Sequence, residues 1–305
     1  MRVVSLLPSA TEIVCALGVD PVGVTHECDY PSRIASTPEV VHSRVDSDQS
    51  SRALDEAVRD AVDGGGVYEL DRDRLRDLDP DVVVTQGLCD VCAVDESVVR
   101  DTLADVGLDA TLVATHPHTL ADVFDDIERI GAAIDRADEA ARLVDDLQAR
   151  VEQVETRVAG VDRPTVTVFD WLDPVMVSGH WVPELVDLAG GEFRLGDVGE
   201  HSGPVEWEAV REVDPDVLVA APCGFSVERT LDSIDDLTAR PGWDDLTAVA
   251  HGRASVLDGH HYVNRPGPRL VETLEAIAGL LHPDRVDPPA DAMARRFPQR
   301  ANSPS

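Results

Sequence analysis

Two cysteines two residues apart, Cys89 and Cys92, are the most conspicuous chemical feature of this chain, which contains five cysteines in all. His26 and Cys28 follow the second predicted strand, and Cys89 and Cys92 follow the third. Because adjacent parallel strands lie about 4.8 Å apart, the loops at their carboxyl ends can bring these four side chains together. Three thiolates with an imidazole would suit zinc or an iron–sulfur cluster.

Two other interpretations of the cysteines remain open. A C-x-x-C pair between a strand and a helix is also typical of thioredoxin-like redox sites, but Asp90 and Asp95 disfavour a reactive thiolate and the W-C-x-P-C pattern is missing. Alternatively, the thiols line a ligand site or pack without a metal. The chain carries no nucleophile elbow, Walker loop or H-E-x-x-H motif in a suitable context, so we expect no enzymatic activity.

Aromatic residues make up only 4% of the chain, yet Trp171 and Trp181 bracket a predicted junction between a strand and a helix. A flat macrocyclic ligand needs flat apolar contacts, and tryptophan offers a large area at a low cost in conformational entropy. The alternative for each tryptophan is packing in a core.

The charge balance narrows the possible partners. The sequence has 59 acidic and 26 basic residues, a net charge of −33, and every basic residue is arginine. The acidic surface would repel the phosphates of a nucleic acid, which excludes a nucleic-acid partner. Dispersed acidic residues without lysine are typical of proteins in a high-salt cytoplasm, where a Debye length of about 3 Å in molar salt screens the self-repulsion.

The first residues, MRVVSLLPSATEIV, contain no recognisable export signal, and no apolar run approaches the roughly 18 residues of a membrane span. We therefore expect a cytoplasmic monomer without a membrane span, and an extracytoplasmic location only if export uses a cryptic signal. An odd number of cysteines argues against a disulfide framework.

Strands and helices alternate along the chain, which predicts mostly parallel sheets. Ser9 and Glu12 have the spacing of a capping box at the start of the first helix. Residues 119–160 contain no proline and keep apolar residues at helical spacing, which predicts one helix of up to roughly 40 residues, about 60 Å long. Two helices broken near Gly131 are the alternative.

Two segments, residues 74–89 and 209–224, align without a gap around the shared sequence D-P-D-V. Together with the flanking α/β patterns, this predicts an α/β fold with two Rossmann-like lobes joined by one long α-helix and a ligand cleft between the lobes. The predicted boundaries are 1–118 for the first lobe, 119–160 for the helix, 161–285 for the second lobe and 286–305 for a loose tail.

The segments VVSLLPSATEIVCALG, VGVTHECDYP and RPGWDDLTAVAHGRASVLDG, together with the D-P-D-V strands, resemble the helical-backbone (class III) substrate-binding proteins of ABC importers for metal chelates. The resemblance covers residues 2–282 and is greatest to the cobalamin-binding members. It implies a corrinoid, haem or siderophore as ligand and an ABC permease as partner. The sequence therefore predicts a non-catalytic cobalamin- or corrinoid-binding protein; the alternative is an intracellular metalloprotein or enzyme that uses Cys28, Cys89 and Cys92.

The resemblance also implies roles for particular residues. The ligand-binding candidates are Pro8, Ser9 and Tyr30 in the first lobe and Trp171, Trp181 and Trp207 in the second. The carboxylates expected to dock arginines of a permease are Asp71, Asp73, Glu206 and Glu208, at the starts of matching helices. Ordinary surface acidity is the alternative explanation for these four carboxylates.

Overall fold

The computed structural model describes residues 1–63, 66–88 and 93–298. The chain divides into two compact units, which we call the first unit (Met1–Gln148 with Pro266–Pro268) and the second unit (Ala149–Arg265 with Arg269–Ser305). Each unit combines helices with a parallel sheet. The predicted α/β class with two lobes is therefore confirmed.

The first unit carries the following elements. They are β1 (Val3–Ser5), α1 (Pro8–Ala16), β2 (Val24–Thr25), β3 (Glu39–Ser43), α2 (Ser51–Asp63), β4 (Tyr68–Leu70), α3 (Arg72–Leu78), β5 (Val82–Gln86), α4 (Glu96–Val106), β6 (Thr111–Thr115), α5 (Leu120–Ala133) and the first part of α6 (Ala137–Val158). The order β1-β5-β6 forms a parallel sheet, and β2-β3-β4 forms a smaller mixed sheet. Valines of β1 and β5 are buried in the core beneath them, as the continuous valine runs predict.

The second unit continues from α6. Its further elements are β7 (Thr165–Trp171), β8 (Met176–Val177), α7 (Val182–Leu188), β9 (Glu192–Phe193), β10 (Gly203–Pro204), α8 (Trp207–Val213), β11 (Val217–Ala220), α9 (Val227–Asp232), α10 (Asp235–Thr238), α11 (Thr247–Ala250), β12 (Ala254–Leu257), α12 (Leu270–Leu281) and β13 (Ala294–Arg296). The sheet order is β10-β8-β7-β11-β12-β13, with β9 beside β7. The strands β7, β11 and β12 are parallel and form its centre.

The two units repeat one local design. In the first, α3 ends at Asp79 in the left-handed conformation (φ 40°) and β5 follows; in the second, α8 ends at Asp214 (φ 44°) and β11 follows. Each of these strands pairs in parallel with the first strand of its unit, with Val82 opposite Val3 and Val217 opposite Val166. The aligned D-P-D-V segments therefore form equivalent elements.

The second aspartate of each D-P-D-V segment, Asp81 or Asp216, has the same structural role in both units. Asp81 Oδ2 accepts a hydrogen bond from the Arg2 backbone N–H at 2.6 Å, just before β1. Asp216 Oδ2 accepts one from the Thr165 backbone N–H at 2.8 Å, at the start of β7. Each carboxylate thus satisfies a backbone donor at the beginning of the neighbouring strand, where the sheet ladder has not yet begun.

The segment predicted as one long helix consists of two. The helix α5 ends before Asp135, which has φ 56°, and α6 begins at Ala137. Gly131 lies inside α5, three residues before the break, so the alternative of two helices broken near Gly131 is confirmed. A Cβ atom on Gly131 would lie 2.4 Å from the Ala140 Cβ atom, so the glycine permits the close contact between the two helices. This close approach depends on three-dimensional packing, so the spacing of apolar residues along the sequence does not predict it.

Two further expectations about local structure are wrong. The helix α1 has no capping box: it begins with Pro8 in its first turn and its N-cap residue is Leu7, while the capping box of this unit is formed by Thr119 and Asp122 at α5. The predicted loose tail is also wrong as far as the described residues reach. There β13 pairs antiparallel with β12, and the Phe297 ring stacks 5.4 Å from the Trp243 ring.

Candidate ligand-binding site

The carboxyl ends of the parallel strands are where a ligand site is expected in open α/β sheets. In the first unit β1 is followed, after Leu6 and Leu7, by Pro8 and Ser9 at the start of α1, and Ser9 is buried. Pro8, Leu6 and Tyr68 line a pocket of about 10 Å³ in this unit. That volume is below the range of ordinary small-molecule sites, so the pocket by itself is too small for a macrocycle. Tyr30, beyond β2, is 47% exposed and its ring is available to a large flat ligand.

The candidate metal ligand His26 is engaged at both ring nitrogens. Its Nδ1 lies 3.1 Å from the Val41 carbonyl oxygen, and its Nε2 lies 3.3 Å from a carboxylate oxygen of Glu27. The hydrogen bond that the His26 ring donates to the Glu27 carboxylate is the main cause that raises the His26 pKa, against the opposing effect of burial. Both of these oxygens accept hydrogen bonds, so neither ring nitrogen directs a free lone pair toward a metal ion, and this arrangement favours a structural role for His26.

The Cys28 side chain is buried and lies 3.0 Å from Thr11 Oγ1 and 3.5 Å from Thr25 Oγ1. Hydroxyl groups are not the ligands that zinc or an iron–sulfur cluster would place beside a thiolate. Cys89 and Cys92, which complete the predicted metal site, lie outside the described residues. The predicted metal site therefore stays a prediction.

The four tryptophans of the chain, all in the second unit, differ in their surroundings. Trp171 ends β7, is partly exposed, and meets the Phe225 ring edge-on at 5.2 Å. Trp181 is only 5% exposed, and its Nε1–H donates to the Val263 carbonyl oxygen at 2.9 Å. Trp171 is thus the tryptophan at the carboxyl end of a central strand of the sheet, and it is partly exposed there.

The remaining two tryptophans belong to one aromatic stack. The Trp207 ring lies 6.2 Å from the Trp243 ring with 19° between their planes, and Trp243 is buried against Phe297. The Trp207 Nε1–H donates to the Pro241 carbonyl oxygen at 2.8 Å. These contacts give Trp207 a packing role at the start of α8.

A group of polar residues missing from the sequence-based candidates also lies at this edge. Asp170, next to Trp171 on β7, has its pKa raised to about 6, because burial disfavours the charged carboxylate more than the hydrogen bond with Ser202 favours it. Ser202 Oγ also accepts a hydrogen bond from the Gly179 backbone N–H at 3.0 Å. A single aspartate in a hydrophobic strand, FDW, is the sequence signal that identifies such a buried carboxyl group.

After β12 the chain forms a short π-helical turn, Gly259–Val263, a form that is frequent at functional sites. The buried carboxylate of Asp258 accepts hydrogen bonds from the His261 backbone N–H at 2.6 Å and from His261 Nδ1 at 2.9 Å. His260 Nε2 lies 3.2 Å from Arg265 Nη2, so that nitrogen accepts the hydrogen bond. Asp258 therefore sets both the tautomer and the direction of the His261 ring.

The four candidate docking carboxylates lie at the starts of the two equivalent helices. Asp71 caps α3 by accepting a hydrogen bond from the Arg74 backbone N–H at 2.9 Å, while Glu206 occupies the N-cap position of α8 without a side-chain cap. Asp73 and Glu208 each form an exposed ion pair three residues along their own helix. Such exposed pairs contribute little to stability, about 0–1 kcal/mol. The carboxylates are therefore accessible to a partner at little expense in stability.

No helix in the described part of the chain combines the length and the apolar character needed to cross a membrane.

The family model for periplasmic binding proteins matches residues 3–260. A substrate-binding lipoprotein of an uncharacterized ABC transporter in Bacillus subtilis is 24% identical over 295 residues, covering 93% of this chain and 80% of that protein. A vitamin B12-binding protein of Vibrio cholerae is 21% identical over 285 residues, covering 92% and 88%.

A cobalamin-binding protein of Halobacterium salinarum is 25% identical over 230 residues, which is 73% of this chain but only 59% of that protein. Solved structures share the fold. A periplasmic haem-binding protein from Pseudomonas aeruginosa superimposes with a TM-score of 0.74 at 19% identity, with 99% of both chains covered. The periplasmic vitamin B12-binding protein of Vibrio cholerae gives 0.67 at 21% identity, covering 92% of this chain and 96% of that chain.

The expected cytoplasmic location is wrong. The relatives are described as a lipoprotein or as periplasmic proteins, which act outside the cytoplasm. The expectation rested on the absence of a recognisable export signal, which does not determine the compartment. The acidic surface does not determine it either, because molar salt screens surface charge on either side of a membrane.

The family consists of binding proteins rather than enzymes, so the expected absence of catalysis is confirmed. By the match over residues 3–260 and the shared two-lobe fold, the chain belongs to the class III periplasmic binding proteins, the substrate-binding proteins of ABC importers.

Proposed function

We propose that this protein binds a corrinoid of the cobalamin type outside the cytoplasm and delivers it to an ABC permease. The relatives from Halobacterium salinarum and Vibrio cholerae, described as cobalamin- or vitamin B12-binding, support the ligand class. Haem and siderophores are the other metal chelates to be tested, since structural neighbours include haem-binding proteins.

The observation that carries the proposal is the accessible aromatic surface at the strand ends of the second unit. Trp171 presents part of its ring at the end of β7 and is held edge-on by Phe225. The face of an indole is a suitable contact for a flat, apolar macrocycle, and its burial contributes about 1.5–3 kcal/mol. In the first unit, Tyr30 offers a second exposed ring, and Pro8 and Ser9 follow the end of β1.

The other two candidate tryptophans of the second unit have supporting roles in this proposal. Trp181, anchored by its bond to Val263, carries the His180 ring stacked 5.5 Å away. Trp207 holds α8 against the core through its stack with Trp243. We therefore assign direct ligand contact to Trp171 and Tyr30, and assign Trp181 and Trp207 to positioning the edge.

Delivery to a permease is supported by the repeated design of the two units. The helices α3 and α8 are equivalent, and each begins with a pair of carboxylates: Asp71 and Asp73 in the first, Glu206 and Glu208 in the second. We propose that these carboxylates dock arginines of the permease. Exposed charge pairs of this kind mainly raise the association rate, so docking is expected to weaken as salt increases.

The decisive experiment is a spectroscopic titration of the full chain with cyanocobalamin, cobinamide and haemin. The proposal expects corrinoid binding tighter than about 10 µM, together with quenching of tryptophan fluorescence. Tighter binding of haemin than of either corrinoid would replace the ligand class, and no binding of any of the three would refute the proposed function.

A pair of variants tests whether Trp171 contacts the ligand. Trp171→Ala should weaken corrinoid binding at least about tenfold, because a macrocycle contact of 1.5 kcal/mol or more is lost. Trp207→Phe, which keeps an aromatic ring in the core stack, should bind within about twofold of wild type and serves as the matched control. Equal affinities for both variants would remove Trp171 from the site.

The predicted zinc or iron–sulfur site is tested separately by metal analysis of anaerobically purified protein. None of the contacts of the described residues favours it, because His26 is bonded to Val41 and Glu27 and Cys28 lies beside two threonine hydroxyls. Stoichiometric zinc or iron that is lost in a Cys89→Ala variant would establish the site.

A further inference from the structure

We propose that the second unit binds a hydroxyl-bearing oxyanion, such as hydrogen phosphate, in an open pocket at the amino-terminal edge of its parallel strands. The pocket has a volume of about 390 Å³. It lies between the residues that precede β7, β11 and β12 and the end of α12. Corrinoid binding is proposed for the carboxyl edge of the same strands, so the two sites would be separate.

Two of the 26 basic residues of this strongly acidic protein line the pocket, together with two carboxylates. Arg163 and Arg253 both line it. Arginine presents a planar fork of N–H donors that matches the oxygens of an oxyanion, and such charge-assisted hydrogen bonds are among the stronger ones in proteins.

Arg253 is the central residue of this pocket. Its Nη2 donates to the Leu281 carbonyl oxygen at 3.1 Å, at the end of α12, and it forms no ion pair with any carboxylate among the described residues. Burial is the main cause that lowers the Arg253 pKa; the nearby charge of Asp216 opposes this and that of Arg296 adds to it. A partly desolvated cation with unused N–H donors is stabilised when an anion binds beside it.

Arg163 and His282, the other two hydrogen-bond donors of the pocket, are held by the carbonyl groups of Gly190 and Gly191. Arg163 donates to the Gly191 carbonyl oxygen at 2.5 Å and is paired with the carboxylate of Asp187. His282 Nε2 lies 3.1 Å from the Gly190 carbonyl oxygen, and because a carbonyl only accepts, Nε2 carries the proton. The Nδ1 atom of His282 is then left to interact with a ligand.

Two carboxylates in the lining determine which oxyanion fits. Asp162 and Asp216 also face the pocket, and Asp216 Oδ2 is already committed to the Thr165 N–H and hydroxyl at 2.8 and 2.9 Å. Carboxylates repel a fully deprotonated oxyanion such as sulfate. Hydrogen phosphate keeps a hydroxyl group, which can donate a hydrogen bond to Asp216 Oδ1 while its other oxygens accept from the two arginines. The lining therefore selects phosphate over sulfate.

The test is isothermal titration of the full chain with sodium phosphate and, separately, with sodium sulfate at constant ionic strength. We expect saturable phosphate binding and at least about tenfold weaker sulfate binding. The reason is that sulfate has no hydroxyl group to donate to Asp216, so a hydrogen bond is replaced by repulsion between two negatively charged groups. No saturable phosphate binding, or equal binding of both anions, would overturn the proposal.

Variants show whether the binding occurs at this pocket. Arg253→Gln should weaken phosphate binding at least about tenfold, whereas Arg194→Gln, which removes an exposed arginine paired with Glu192 in the same unit, should leave it within about twofold. If Arg253→Gln does not fold by circular dichroism, Arg163→Gln serves in its place with the same expected loss. Asp216→Asn should bring the phosphate and sulfate affinities together. Unchanged phosphate affinity in a folded arginine variant would place the binding elsewhere and refute the site.

Discussion

Replacing Gly131 with alanine tests the close packing between α5 and α6. Glycine inside a helix is ordinarily less favourable than alanine by about 1 kcal/mol, so helix propensity alone predicts that Gly131→Ala stabilises the protein. The structure predicts the opposite, because the added Cβ would lie 2.4 Å from the Ala140 Cβ and 3.1 Å from the Arg136 carbonyl oxygen. Both neighbours are fixed to the backbone, so no rotamer change relieves the overlap.

Overpacking of this kind costs about 1–3 kcal/mol, and contacts with backbone-fixed atoms belong at the upper end of that range. After subtracting the gain in helix propensity, we expect Gly131→Ala to lower the free energy of unfolding by about 2 kcal/mol. The assay is urea denaturation in molar salt, followed by far-ultraviolet circular dichroism.

The double variant Gly131→Ala/Ala140→Gly supplies the control. It moves the methyl group from one helix to the other, so it should unfold within about 1 kcal/mol of wild type and give a strongly favourable coupling in the mutant cycle. If Gly131→Ala alone is as stable as wild type, or more stable, the two helices do not approach as closely as the structure shows.

Three further perturbations test other parts of the structure. The pKa of Asp170 is raised to about 6, so the folded state binds this proton more tightly than the unfolded chain does. The protonated Asp170 therefore contributes its full stability below about pH 4, and this contribution is lost as the pH rises through 6. Asp170→Asn should make the urea midpoint less dependent on pH between about pH 4 and 7. Asp81→Ala and Asp216→Ala remove equivalent bonds to the first strands of the two units, and each should destabilise the protein by about 1–3 kcal/mol in thermal or urea unfolding. A chain ended after residue 285 loses β13 and the stack of Phe297 on Trp243, so it should unfold at lower urea with a red-shifted tryptophan emission; an unchanged midpoint would contradict the role assigned to this segment.

The pairing of the D-P-D-V segments shows how much a local pattern can predict. The alignment of residues 74–89 with 209–224 correctly identifies two equivalent helix–strand units, because a short helix, an aspartate in the left-handed conformation and a valine strand are each specified by neighbouring residues. The bonds from Asp81 and Asp216 to the first strand of each unit join residues that are distant in the chain. Their positions could be recognised from the repeat, but not their partners.

The site shows the limits of the same approach. The sequence indicated that tryptophans and histidines lie near strand ends, but Trp181 and Trp243 are buried and Trp207 packs in an aromatic stack, whereas Trp171 stands at the end of β7. His26 looked like a metal ligand beside Cys28, yet its two nitrogens are used by Val41 and Glu27. Identical residue types acquire different roles according to which distant groups the fold brings to them.

The sequence by itself determined the α/β class, the two similar lobes and the absence of catalytic motifs, because these depend on periodicity and on residues close together in the chain. Only the tertiary structure decided where α5 stops, which tryptophan keeps an accessible ring, and that Arg253 faces an open pocket on the edge of the sheet where its strand begins. Each of these outcomes depends on contacts between segments far apart in the sequence. Steric fit and burial decide such contacts, and neither is encoded in the local spacing of residues.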